Sequence, residues 1–357
     1  MEKKLKPVNV IKFAGAYIAF IIGSGFATGQ EIMQFYSNFG IWSIGSVLIS
    51  MFFFSWVGGS VMKLGLENKG EENVSPYCLF CGKYLGTFYE YFVPLFLFGV
   101  VVIMISGAGA TLNEYYGLNY YAGSLFMVVL VFIAYMIGVN KLVNVLGAIG
   151  PAIIIFSILI AVITLIPNMG NLSGVDAKVS AYNLPTSSAT WWLSGTLYAA
   201  YNTFGAIIFL FALGKGAQSK REAMAGGVLG GVLLMTATFF MNLALLSKID
   251  EIQGLAVPTL HLAKQISPIF GVIFSILLIC GIFSTAAPMF WTVCNKITKE
   301  GTQKSKIVAV IVIILAFVLG QFPFGKLVGI IYPYTGYLGI LLFICLAYNQ
   351  IKSKFKK

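Results

Sequence analysis

The stretch Gly23-Ser24-Gly25-Phe26-Ala27-Thr28-Gly29-Gln30-Glu31 groups residues that could bind a ligand together. Each of its glycines weakens a helix by roughly 1 kcal/mol relative to alanine. Backbone freed in this way offers N–H groups to an anion and carbonyls to a cation. Gln30 and Glu31 add an amide and a carboxylate. A second polar set, Asn202 and Thr203 followed by Gly205, lies in Tyr198–Ala206. A third is the pair Ser284-Thr285, one turn after Gly281 and one turn before Pro288. Pro288 has no N–H to donate, so it frees the carbonyl of Ser284. Such oxygens suit a hard cation like Na+. The same hydroxyls can instead bond back to their own helix. Cys78 and Cys81 form a lone C-x-x-C, and the chain has one histidine, His261. Packing is the expectation for these cysteines, rather than zinc or redox work. No nucleophile stands with a base, so neither an enzyme nor an organic cofactor is expected.

All three sets lie inside long apolar runs. Of 357 residues, 59% are hydrophobic and 10% charged, too few charges for a soluble surface. A membrane span takes roughly 20 residues. The expected architecture is an all-α membrane protein, one transmembrane domain over 1–357 with ten transmembrane helices. They are placed at 10–37, 41–66, 87–112, 120–139, 142–166, 189–213, 222–247, 268–297, 307–320 and 327–348. Polar loops are expected at 67–86 and 168–188, and a short surface helix over 251–266. The first run is too long, and too polar at Gln30 and Glu31, for a cleavable signal.

The net charge of +11 does not point to nucleic acid, because the basic residues lie between apolar runs and at the termini. Ten spans put 19 of the 23 basic residues on the side of the termini, leaving Lys178, Lys248, Lys264 and Lys326 on the other. This asymmetry places both termini in the cytoplasm. One span more or fewer would scramble it.

Depth sharpens the reading. Residues 23–31 fall near the bilayer midplane, where an unpaired carboxylate costs a few kcal/mol. Unwound backbone survives there only if it lines a cavity or is buried in protein. A discontinuous helix at a binding site is expected; close packing through small residues is the alternative. Gly226, Gly227, Gly230 and Gly231 of the seventh span fit that packing role. Asn202, Thr203 and Gly205 sit at matching depth in the sixth span, so a second break is expected there. The two spans correspond if the chain is two inverted halves of five, about 8–167 and 188–350. Paired interruptions of this kind mark a transporter-type site. No Lys, Arg or His lies at that depth. An anionic ligand would rely on backbone N–H groups or on a co-bound cation.

Ile22-Gly23-Ser24-Gly25-Phe26 resembles the I-G-S-G-I-F motif of the amino acid–polyamine–organocation superfamily. Phe204-Gly205-Ala206-Ile207-Ile208 resembles the F-G-A-I-I of neurotransmitter:sodium symporters such as LeuT. Length and the G-S-G-F-A-T-G-Q-E stretch are similar to YkvI-like bacterial membrane proteins. The resemblance covers the whole ten-helix layout. It implies a LeuT-type five-plus-five inverted repeat with helices 1 and 6 broken at the midplane. By motif position, Ser24 and Gly25 would present N–H groups to a substrate carboxylate. Tyr198, Tyr201 and Phe204 would line the pocket, with Gly23, Phe26 and Asn202 beside them. The carbonyls of Ala19 and Ile22, with Gly281, Ser284 and Thr285, would match the family's second sodium site. Phe26 stands where the other sodium site uses Asn, so one sodium at most is expected. Proton-coupled relatives carry a Lys in the fifth span; 142–166 has none, which favours Na+.

The expectation is a Na+-coupled symporter of a small amino acid or related amine, working by alternating access in the bacterial cytoplasmic membrane. Gln30 and Glu31 are gate or coupling candidates. Glu31 could pair with a substrate ammonium, carry a proton, belong to an outer gate, or make a structural hydrogen bond. Two rivals stand. One is a non-transporting ligand sensor, since the B subunits of spore germination receptors resemble this layout. The other is a transporter of quaternary amines such as choline or betaine, caged by Phe26, Tyr198 and Tyr201.

Overall fold

The computed structural model describes residues 6–71, 74–138, 143–299 and 301–355, apart from the side chains of Ser24, 143–148 and 353–355. The start of the fifth span expected at Leu142 lies outside the described residues. Among the described residues every regular element is a helix. Lipid offers backbone groups no partners, so each apolar run must satisfy its own.

The first run is three helices in series. Helix α1 (Pro7–Ile21) starts on a proline, whose missing N–H costs nothing in a first turn. It ends at Ile22–Gly23, where Gly23 is extended (φ −91°, ψ −172°). Helix α2 (Ser24–Thr28) stops at Gly29, whose φ of +82° is left-handed, and α3 (Gln30–Phe35) follows. A Cβ at Gly29 would overlap the Thr259 hydroxyl, so both space and backbone require glycine there.

A 3₁₀ turn (Ser37–Trp42) leads into α4 (Ser43–Glu67). Helix α5 (Pro76–Tyr116) begins eleven residues before the expected third span. Gly82 (φ +74°) sets its first turns at an angle, and Tyr77 there is buried. Next come α6 (Tyr120–Ile137) and α7 (Val143–Asn168). The expected loop 168–188 contains a helix, α8 (Val175–Tyr182), held to the 3₁₀ turn where Ile41 N donates to Asp176 Oδ1 at 2.7 Å. Then follow α9 (Trp191–Lys215), α10 (Lys220–Ser247), α11 (Ile249–Ile252), α12 (Pro258–Ile266), α13 (Pro268–Ile297), α14 (Gln303–Leu319) and α15 (Phe324–Phe355).

Among the described residues, eight helices are long and apolar enough to cross a membrane. Helices α1–α3 run in series between the same two ends. Asn9 of α1 donates to Glu222 (3.2 Å) at one end, and Asn38, just past α3, donates to the Pro185 carbonyl (2.6 Å) at the other. Helix α14 packs along α5, α6 and α13.

The expected break in the sixth span is absent: α9 is continuous from Trp191 to Lys215. Its polar side chains close onto their own helix. Asn202 Nδ2 donates to the Tyr198 carbonyl (3.0 Å) and Thr203 Oγ1 to the Ala199 carbonyl (2.6 Å). These back-bonds need the helix to stay wound.

Glycines set the close contacts. Gly227 and Gly231 of α10 meet the backbone of α4 at Gly58 and at Phe54–Ser55, while Gly226 and Gly230 meet Phe13 and Tyr17 of α1. This quartet is a packing surface, the role that small residues play between membrane helices.

Candidate functional site

The gap between α1 and α2 opens onto a cavity of about 80 Å³. The first run supplies Gly23, Gly25 and Glu31; α9 supplies Tyr201, Asn202 and Gly205; α13 supplies Thr285 and Met289. Phe96, Val100 and Met104 of α5 and Tyr332 of α15 close it. Gly23 brings the break against α13, since a Cβ there would come 3.4 Å from Thr285 Oγ1. Mostly apolar walls with a few convergent polar groups are usual for a small-molecule site.

Glu31 dominates the polar side. It is 6% exposed, and its carboxylate folds back over Gly25 so closely that a Cβ on Gly25 would overlap it. Tyr201 donates to Glu31 Oε2 at 2.7 Å, and Tyr198 and Tyr332 lie close to the same carboxylate. The Tyr201 and Tyr332 rings stack with centroids 4.4 Å apart. The Tyr201 hydroxyl solvates the carboxylate without supplying a positive charge. No Lys, Arg or His is among the described lining residues. A buried carboxylate in apolar surroundings is costly without such a partner.

A second cavity, of about 520 Å³, lies toward the end that carries α8, α11 and α12. Gln30, Met33 and Gln34 of α3 line it, with Glu114, Phe324 and Gly325. Gln34 Nε2 donates to the Gly325 carbonyl at 2.8 Å. Gly325 and Gly329 let α3 approach α15 closely: a Cβ at Gly329 would sit 2.9 Å from Gln34 Oε1. Gln30 therefore faces the larger cavity and Glu31 the smaller one, and the α3–α15 seam separates the two. At the opposite end Glu222, fully buried, joins Asn9 of α1 to the Gln218 N–H (3.1 Å). Ser219 caps that helix by accepting from Glu222 N.

Of the expected substrate and gate residues, Gly23, Gly25, Tyr201, Asn202 and Glu31 meet at the smaller cavity. Phe26, Tyr198 and Phe204 do not line it. Phe26 is in the core. Phe204 fills an aromatic cluster with Tyr77, Tyr89, Phe92 and Phe96, and its carbonyl accepts from Tyr77 at 2.8 Å. Tyr198 packs on Phe35, Tyr36 and Phe54 and reaches the site through Tyr201, whose ring lies edge-on 5.6 Å away. The cage of Phe26, Tyr198 and Tyr201 is therefore not formed.

Within the expected sodium set, Thr285 faces the break. Ser284 Oγ donates back to the Gly281 carbonyl at 2.9 Å, Ile153 of α7 lies on Gly281, and Gly150 lies beside Ala19. The carbonyl of Ile22 belongs to the unwound link, where Gly23 N bonds Ile21 instead. Sequence reading missed Phe96, Met104, Met289 and Tyr332. Only Tyr332 carried a signal, the adjacent Pro333 inside a span; an apolar residue facing a cavity reads like one facing lipid.

No protein-family model matches the sequence. The chain is similar to the membrane protein YkvI of Bacillus subtilis (strain 168), 24% identical over 92% of each chain. Two solved structures share its fold. MhsT in complex with L-phenylalanine matches with a TM-score of 0.58 at 15% identity, over 96% of this chain and 89% of the other. Mhp1 in its inward-facing conformation matches with a TM-score of 0.60 at 11% identity, over 92% and 73%. The chain is thus similar in sequence to YkvI and shares the fold of MhsT and Mhp1.

Proposed function

We propose that a chain with this fold and this cavity is a secondary transporter that moves a small amino acid or related amine together with Na+. The observation that carries the reading is the cavity at the α1–α2 break, flanked by Thr285 and set apart from a wider cavity by α3. Alternating access needs a site reachable from either side but never from both. The α3–α15 seam is the closure on one side, and the Asn9–Glu222 clasp ties the far end of α1 on the other. Helices α1–α3 and α14 join the eight long helices as the ninth and tenth crossings. The basic residues then set the end holding Asn9, Lys220 and Gln350 in the cytoplasm of a bacterial cell, and the 520 Å³ cavity opens outward.

Na+ sits, in this reading, between Thr285 and the carbonyls freed at the break. Helix α7 presents Ile153 there and no charged group. A thermal-shift screen of the purified protein against amino acids and amines, with and without Na+, tests this. Coupled sites stabilise more together than separately. Ligand stabilisation that ignores Na+ at every concentration removes the coupling.

A further inference from the structure

Resting on the cavity as the substrate site, we infer that it takes a small organic ammonium without a carboxylate, its positive charge set against Glu31. The protein's own carboxylate, that of Glu31, already lies against Gly25, where a Cβ would sit. A second carboxylate in the same cavity would meet like charge at short range. The opposite charge is what the site lacks: the described lining holds Glu31 and no Lys, Arg or His. Tyr201 uses one lone pair of Oε2, and the other carboxylate lone pairs remain for N–H donors of a ligand.

Size narrows the class further. The cavity at the break, about 80 Å³, is much the smaller of the two and favours a compact ligand. Phe96 and Met289 on the opposite wall suit a short alkyl tail, and the stacked Tyr201 and Tyr332 rings offer aromatic surface to the cation.

The test is equilibrium binding to the detergent-purified full chain in saturating Na+, with methylammonium, ethylammonium, tetramethylammonium, glycine and alanine as probes. One or more of the alkylammonium ions should bind, and glycine and alanine should not bind over the same range. Glu31→Gln should weaken ammonium binding at least about tenfold, because one partner of a buried charge pair is lost. Glu31→Asp, which keeps the charge on a shorter arm, should fall between the two. If Glu31→Gln does not fold, the ranking of probes on the unmodified protein decides alone. Glycine or alanine binding as tightly as the amines overturns the inference, and so does ammonium binding unchanged in Glu31→Gln. Failure of the underlying reading looks different: amines bind, yet no ion gradient moves them across a vesicle membrane.

Discussion

Replacing Gly25 by alanine should separate ligand recognition from folding. Gly25 lies within helical backbone in α2, so alanine adopts its conformation without strain. Alanine is also the better helix former, by about 1 kcal/mol. The new methyl, however, occupies the position of the Glu31 carboxyl oxygen. Backbone is not in the way, and the far end of a side chain can rotate. Glu31 must therefore swing off Gly25 and release the 2.7 Å bond from Tyr201. A hydrogen bond to a charged group is worth about 1.5–3 kcal/mol. At 1.36 kcal/mol per decade that is roughly a 10- to 150-fold loss of affinity. Isothermal titration with ethylammonium, alongside thermal melts and circular dichroism, measures both halves. The expected result is weaker binding with a melting temperature modestly below that of the parent, because the lost Tyr201–Glu31 bond outweighs the helix gain. Affinity within about twofold of the parent, in a protein that melts normally, would refute the idea that the Glu31 position governs binding.

Three further outcomes follow from the same geometry. Thr285→Ala should abolish the Na+ dependence of ligand stabilisation, whereas Ser284→Ala should keep most of it, because the Ser284 hydroxyl is turned back onto Gly281; equal loss in both would contradict the assignment. Gln34→Ala removes the bond to the Gly325 carbonyl, worth about 1 kcal/mol. Opening of the α3–α15 seam should rise about fivefold, read as faster thiol labelling of a cysteine at Val100 in a background without the five native cysteines. Gly231→Leu should destabilise the protein by about 1–3 kcal/mol or more through collision with the Phe54–Ser55 backbone. Gly170→Ala, which meets open space, should change stability by less than about 0.5 kcal/mol in the same denaturation assay.

The membrane class, the span order and the break in the first run were legible because they rest on hydropathy and on glycines beside Glu31. The second break was misread for a physical reason. Asn202 and Thr203 look like residues that need outside partners, yet each bonds the carbonyl four residues back. Sequence shows polarity at that depth but not which group absorbs it. Helix α8 escaped notice because a polar segment of eight residues, held by Asp176 and by Lys178 and Tyr182 on Asp250, has no apolar period to reveal it. The hydrogen bond from Lys178 holds the Asp250 carboxyl below the usual carboxylate range, which keeps that clasp charged at neutral pH. Within the site, Tyr201, Asn202 and Thr285 stood out by polarity beside the breaks. The convergence of Tyr332 on Glu31, and the way Glu31 covers Gly25, join residues far apart in the chain and leave no local signature.

The most direct measurement is uptake of labelled methylammonium and alanine into proteoliposomes, with and without an inward Na+ gradient, for the parent protein and for Thr285→Ala. The account predicts uptake of the ammonium that an inward Na+ gradient accelerates and that Thr285→Ala uncouples from Na+. Binding without uptake under any ion gradient would contradict it, and would make the cavity a receptor site instead.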